Sequence, residues 1–153
     1  KAKQFISDIL HTAPDNKGAK LLEMKIALKN AEFDKIDEWL AKLPLTEADT
    51  DEVKEIKALT SFAKEISNAQ SITELETTLS QAENTELRYL LACSYAANSD
   101  FKNALDNFLL VLQEDRSYKN DGARKSMIAI FDLLGGAGPV VNQYRIKMSK
   151  LLH

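Results

Sequence analysis

Cysteine is nearly absent from these 153 residues: Cys93 stands alone, which excludes an intrachain disulfide, a CxxC redox pair and a cysteine-based zinc site. Its neighbours Leu90, Leu91, Ala92 and Tyr95 mark a buried, inert thiol rather than a reactive one. Five glycines and three prolines leave few places for sharp turns, and no segment alternates as a β-strand. Apolar runs stay far short of the roughly 18 residues of a membrane helix. The N-terminal Lys1, Ala2, Lys3 and Gln4 lack the apolar stretch and cleavage site of a signal peptide, so a cytoplasmic location is expected. The missing initiator Met suggests a fragment whose preceding part is absent, with removal of the Met as the alternative.

Catalytic signatures are missing as well. The chain has no glycine-rich phosphate loop, nucleophile elbow or Ser/His pairing, and His11 and His153 fall outside any HExxH-like pattern and read as surface residues. The carboxylates Glu47, Asp49, Asp51, Glu52 and Glu55 read as a solvated helix face rather than an acid/base pair. The expectation is a non-enzyme with no cofactor and no metal.

Apolar residues at 44% and charged residues at 28% are ordinary globular values, and the length suffices for one continuous core. The net charge of -3 conceals an asymmetry: residues 1–115 carry 13 Lys/Arg against 21 Asp/Glu, whereas residues 116–153 carry 7 against 2. Such a charge distribution steers partners to one end, but a basic segment this modest on a chain of pI about 5.5 speaks against nucleic acid.

Apolar spacing of three and four predicts helices over Leu21–Ala31 and Phe33–Leu43, the second ended by Pro44. A long helix is expected from about Glu47 to Ala69, with Val53, Ile56, Leu59, Phe62, Ala63 and Ile66 inward and Thr46 or Thr50 as its cap. Helices over Ile72–Ala82, Thr85–Ala97 and Asp100–Asp115 follow. Asp121–Leu134 then places Ala123, Met127, Ile130, Phe131 and Leu134 on one stripe before Gly135 and Gly136, and Pro139 opens the last helix. Eight segments are placed in this way, about nine helices being expected in all, in an all-α chain.

Helix pairs joined by tight turns cover their apolar faces by stacking, which directs attention to repeats. Residues 85–118 place Leu91, Ala92 and Tyr95 on a first helix, Asp100 and Phe101 in a turn, and Ala104, Phe108 and Val111 on a second. This pattern resembles the 34-residue tetratricopeptide repeat. A weaker copy at about 17–50 carries Met24, Ala27, Glu32, Phe33, Ile36, Leu40 and Leu43, its Glu-Phe turn lying two repeat lengths before the Asp-Phe turn. A degenerate unit at 51–84 separates them. Arg88 stands where the family has an aromatic and Arg116 where it has proline. The expected architecture is a single domain of antiparallel helix pairs stacked as a short superhelix, with extra C-terminal helices at about 121–134 and 139–152.

The C-terminal third carries a further resemblance. Asp115, Arg116, Tyr118, Asp121–Lys125, Ile130, Phe131, Leu134 and Gly135, then Pro139–Val141, Tyr144, Arg145, Lys147, Leu151 and Leu152 are similar to the C-terminus of bacterial thioredoxin-like co-chaperones, the chaperedoxins. Gly138 departs from the acidic residue common before the proline. The resemblance implies a preceding thioredoxin-fold domain absent from this chain. It also implies a holdase that captures unfolding clients and docks on the chaperonin through its last helix. A generic tetratricopeptide scaffold, or the regulatory half of a thioredoxin-type redox enzyme, remain alternatives.

Candidate partner-binding residues follow. On the last helix Val141, Tyr144, Met148, Leu151 and Leu152 form an inward stripe, and Ile146 lies about 200° from Tyr144, among Arg145, Lys147 and Lys150. Either this is a capping helix with one stray isoleucine, or Tyr144, Arg145, Ile146, Lys147 and Lys150 belong to a basic, apolar docking face. The positions that hold a carboxylate in clamp-type tetratricopeptide adaptors are here Glu86, Tyr89, Leu90 and Cys93, with only Lys25 of suitable type, which argues against that ligand. A concave groove lined by Tyr89 suits apolar segments better. Arg124, Lys125 and Arg116 near Asp115 and Asp121 read as ion-paired, Asp115 to Arg124 being one candidate bridge, with an anion site as the alternative. Trp39 is either partly core or a partner anchor.

Overall fold

The computed structural model describes residues 1–153, all of them helix or short connection, in ten helices. They are α1 (Ala2–Thr12), α2 (Lys17–Lys29), α3 (Phe33–Lys42), α4 (Leu45–Ala48), α5 (Asp51–Glu65), α6 (Ile72–Gln81), α7 (Thr85–Ala97), α8 (Phe101–Glu114), α9 (Tyr118–Leu133) and α10 (Pro139–Leu152). None is long and apolar enough to cross a membrane. Contacts divide the chain into two compact units, Lys1–Lys64 and Glu65–His153, and the division falls within residues 51–84, where a degenerate repeat was expected.

In the first unit α1 packs on α2 and α2 on α3. Met24, Ala27 and Ile36 are buried with Ile56 of α5, and Leu21, Leu28, Trp39 and Leu40 close around them. The α1 helix, which buries Ile6, adds one element to the sequence reading. The long helix expected from Glu47 to Ala69 is instead interrupted. Pro44 opens the four-residue α4, the chain bends at Asp49 and Thr50, and the Thr50 hydroxyl accepts a hydrogen bond from Val53 N at 3.4 Å to start α5 afresh. At the far end α5 stops at Glu65. Ser71 then caps α6 through a reciprocal pair of bonds with Glu74.

In the second unit α7 packs on α6, α8 and α9, and α10 lies on α8. Ala92 and Ala104 are fully buried, as close backbone approach between α7 and α8 requires, and Phe108 and Val111 complete that interface. The expected α9 stripe is buried at Ala123, Met127, Ile130 and Phe131, whereas Leu134 is exposed.

Two of the inter-helix turns are alike. Asn30-Ala31-Glu32 and Asn98-Ser99-Asp100 adopt the same conformation, with Ala31 at φ 58° and Ser99 at φ 62°. Glu32 N bonds to Ala27 O at 2.8 Å and Asp100 N to Tyr95 O at 2.9 Å, the closure that ends a helix through a left-handed residue. A third instance follows α9, where Gly135 has φ 93° and Gly136 N bonds to Phe131 O at 2.8 Å. Gly138, at φ 115°, sits in a region that side chains strongly disfavour, which suits glycine immediately before Pro139.

Candidate functional site

The last helix has two unlike sides. Val141 and Tyr144 are buried against the bundle, Met148, Leu151 and Leu152 are half-buried, and the Tyr144 hydroxyl donates to Asp106 of α8. Arg116 Nη1 donates to the Leu152 carbonyl at 3.1 Å, so a cation from the loop before α9 satisfies the negative end of α10. The opposite side is free: Ile146 is 58% exposed, and Asn142, Ser149 and Lys150, three to four residues away and hence on its face, are exposed too. Arg145 reaches over the Phe131 ring (5.5 Å to its centroid) and Lys147 over the Tyr144 ring (4.8 Å), holding their charges on either flank of Ile146. Of the five residues expected here, four are presented outward and Tyr144 is an anchor.

Tyr89 does not line a groove. It is 5% exposed, because α9 covers it: its ring meets Phe108 and Tyr118 edge-on at 5.5 Å each, and its hydroxyl lies 3.5 Å from Ser126 Oγ. Gly122 makes room for it, since a Cβ there would stand 3.1 Å from the Tyr89 hydroxyl. Burial pushes the Tyr89 phenol up to about 12. Cys93 beneath it is wholly buried, and burial together with the Glu65 carboxylate pushes its thiol up to about 12. A thiol held so strongly in its protonated form is a poor nucleophile.

Most of the remaining charged candidates are tied into the fold, whereas Lys125 is exposed. Arg124 Nε binds Asp121 Oδ2 at 2.6 Å rather than Asp115, and Asp115 instead accepts from the amide and hydroxyl of Ser117. The geometric reason is spacing: Asp121 lies one turn before Arg124 at the start of the helix, where its charge also suits the dipole. His11 and His153 are exposed, and no group of three or more His, Cys, Asp or Glu is arranged to hold a metal ion.

Two features lie beyond the sequence reading. Arg88, at the position of a family aromatic, donates through Nε and Nη2 to both carboxylate oxygens of Glu83 and through Nη1 to Asn107 Oδ1 of α8 at 2.9 Å. A planar cation thus substitutes for ring packing between α7 and α8, and this pairing holds Glu83 below its ordinary pKa. The Arg88 anomaly was visible, but Asn107, 19 residues on, carries no sequence mark as its partner.

The second feature is a cleft of about 550 Å³ in the first unit. Leu21, Trp39, Leu43 and Val53 give it an apolar floor, and Asp15, Lys17, Lys20, Glu47 and Glu52 stand around it. Lys17 pairs with Glu47 at 2.5 Å, and Lys20 with Glu23 at 2.9 Å. Trp39 is packed partly into the core, as one of its two readings expected, and its remaining surface lines this cleft.

A family model described as "Tetratricopeptide repeat" matches residues 65–153, the same residues that form the second compact unit. No curated protein and no solved structure matches the chain.

Proposed function

Because the chain belongs to the tetratricopeptide repeat family, whose domains are protein-interaction modules, we propose that it is the partner-binding part of a thioredoxin-linked co-chaperone that docks on a chaperonin through α10. The observation that carries this reading is the division of labour on that helix. Its inner side is fastened by Tyr144 and by Arg116, while Ile146 stands exposed between the flanking cations Arg145 and Lys147. An exposed branched aliphatic ringed by cations suits an apolar pocket with an acidic rim.

On this reading the chain itself catalyses nothing, works in the bacterial cytoplasm, and holds unfolding clients while its last helix is engaged. Tyr89 has no direct part, being covered by α9. The test has two arms: binding of the purified chain to a purified chaperonin, and suppression of aggregation of a chemically denatured protein followed by light scattering. Both are expected. Failure of the first with success of the second leaves a generic tetratricopeptide scaffold, and failure of both removes the co-chaperone role.

A further inference from the structure

The Trp39 cleft belongs to neither the last helix nor the residues matched by the family model. Its volume, about 550 Å³, lies within the range of pockets that enclose a drug-sized ligand, and so accommodates a large side chain with adjoining backbone. Each wall has a local cause. Asn16 caps α2 by accepting from Ala19 N at 2.9 Å, which fixes Lys17 and Lys20 along one edge. Pro44 ends α3 just after Trp39 and Leu43, and the Thr50 cap turns the first residues of α5 toward the same space.

Charge decides what fits. The two lysines at the rim are already neutralised, Lys17 by Glu47 and Lys20 by Glu23, whereas Asp15 and Glu52 have no cationic partner. The free charge at the mouth is therefore negative, carried by Asp15 and Glu52, while Asp49 on the neighbouring segment is already paired with Lys54 at 3.0 Å. An indole in the wall adds a π-face that attracts a cation and stacks against an apolar or aromatic group.

We propose that this cleft binds an extended peptide segment that presents a large apolar side chain beside a lysine or arginine, the apolar group on Trp39 and Leu43 and the cation facing Asp15 and Glu52. This rests on the reading of the chain as a protein-binding module and gives it a second, independent contact.

Trp39 is the only tryptophan in the chain, so its emission reports on this cleft alone. The full chain is titrated with three blocked pentapeptides, Gly-Arg-Phe-Arg-Gly, Gly-Glu-Phe-Glu-Gly and Gly-Arg-Ala-Arg-Gly, by tryptophan fluorescence and in parallel by calorimetry. The first is expected to saturate with a Kd at least about tenfold below the other two, and its affinity to fall as salt rises. Asp15→Asn combined with Glu52→Gln is expected to weaken it at least about fivefold and to flatten the salt dependence, with an unchanged circular dichroism melt. Absence of saturable binding by both methods, preference for the acidic peptide, or equal binding by the double variant would overturn the proposal. Ile146→Asp leaves this titration unchanged, so loss of chaperonin docking and loss of cleft binding are separate results.

Discussion

The Tyr144 hydroxyl donates a hydrogen bond to Asp106, 38 residues upstream, and so ties the last helix to α8. A phenol that is 2% exposed overall reaches a partly solvated carboxylate, which leaves both groups satisfied. Anchoring by Tyr144 and presentation by Ile146 are therefore separable. Removing α10 outright would uncover the side of α8 on which it lies, so single substitutions test docking better than truncation does.

Tyr144→Phe keeps the ring packing and loses only the donated bond. The expected cost is about 1–2 kcal/mol, at or below the low end for a hydrogen bond to a charged group because Asp106 is partly solvated. Urea denaturation checks it, the midpoint falling with the slope unchanged.

Ser99→Gly relieves a side chain held at φ 62° and is expected to raise stability by about 0.5–1 kcal/mol. Ala31→Gly, at φ 58°, gives a similar gain, and Ser99→Val a loss. Thermal unfolding of the three variants reads out whether both turns follow one rule.

Arg88→Ala leaves the buried Asn107 Oδ1 without its donor while the half-exposed Glu83 turns to solvent, with an expected loss of about 1–2 kcal/mol that Arg88→Lys does not restore. The same pairing fixes an acid dependence. Glu83 has its folded pKa lowered below 4.5 by the hydrogen bond from Arg88, so its contribution is present above about pH 4.5 and is lost as pH falls through the lower folded value. In Glu83→Gln that component of the stability profile between pH 5 and 3 is absent.

At the alkaline end the sign reverses. Cys93 and Tyr89 are raised by burial from 9.0 and 10.0 to about 12, so the stabilisation tied to their protonated forms is complete below pH 9. It is lost progressively between pH 9 and 12. Cys93→Ala moves the onset of that loss from about 9 to about 10, as urea midpoints across this interval measure.

What could be read from the chain and what could not divide along one physical line. Local chemistry was legible: the Glu-Phe and Asp-Phe turns, the inward stripe of α10 and the buried Cys93 follow from spacing and residue type alone. The helix break at Asp49 was half legible, since Thr50 offers itself as a cap but acidic helix formers run on either side of it. Contacts between separate helices left no such trace. Tyr89 reads as a groove residue until α9 is placed over it through Gly122, Arg88 reads as a defect until Asn107 is found opposite, and the Trp39 cleft exists only because α2, α3 and the start of α5 meet around it.

The central claim, that α10 presents Ile146 as a docking contact, is tested most directly by measuring the Kd of the full chain for a purified chaperonin beside that of Ile146→Asp. Because Ile146 is exposed, the substitution leaves the circular dichroism spectrum and melting temperature unchanged. Submicromolar binding that weakens at least about tenfold in the variant is the predicted result, in the range of a truncated interface anchor. Equal affinities for the two proteins, or no binding by the unmodified chain, would contradict it.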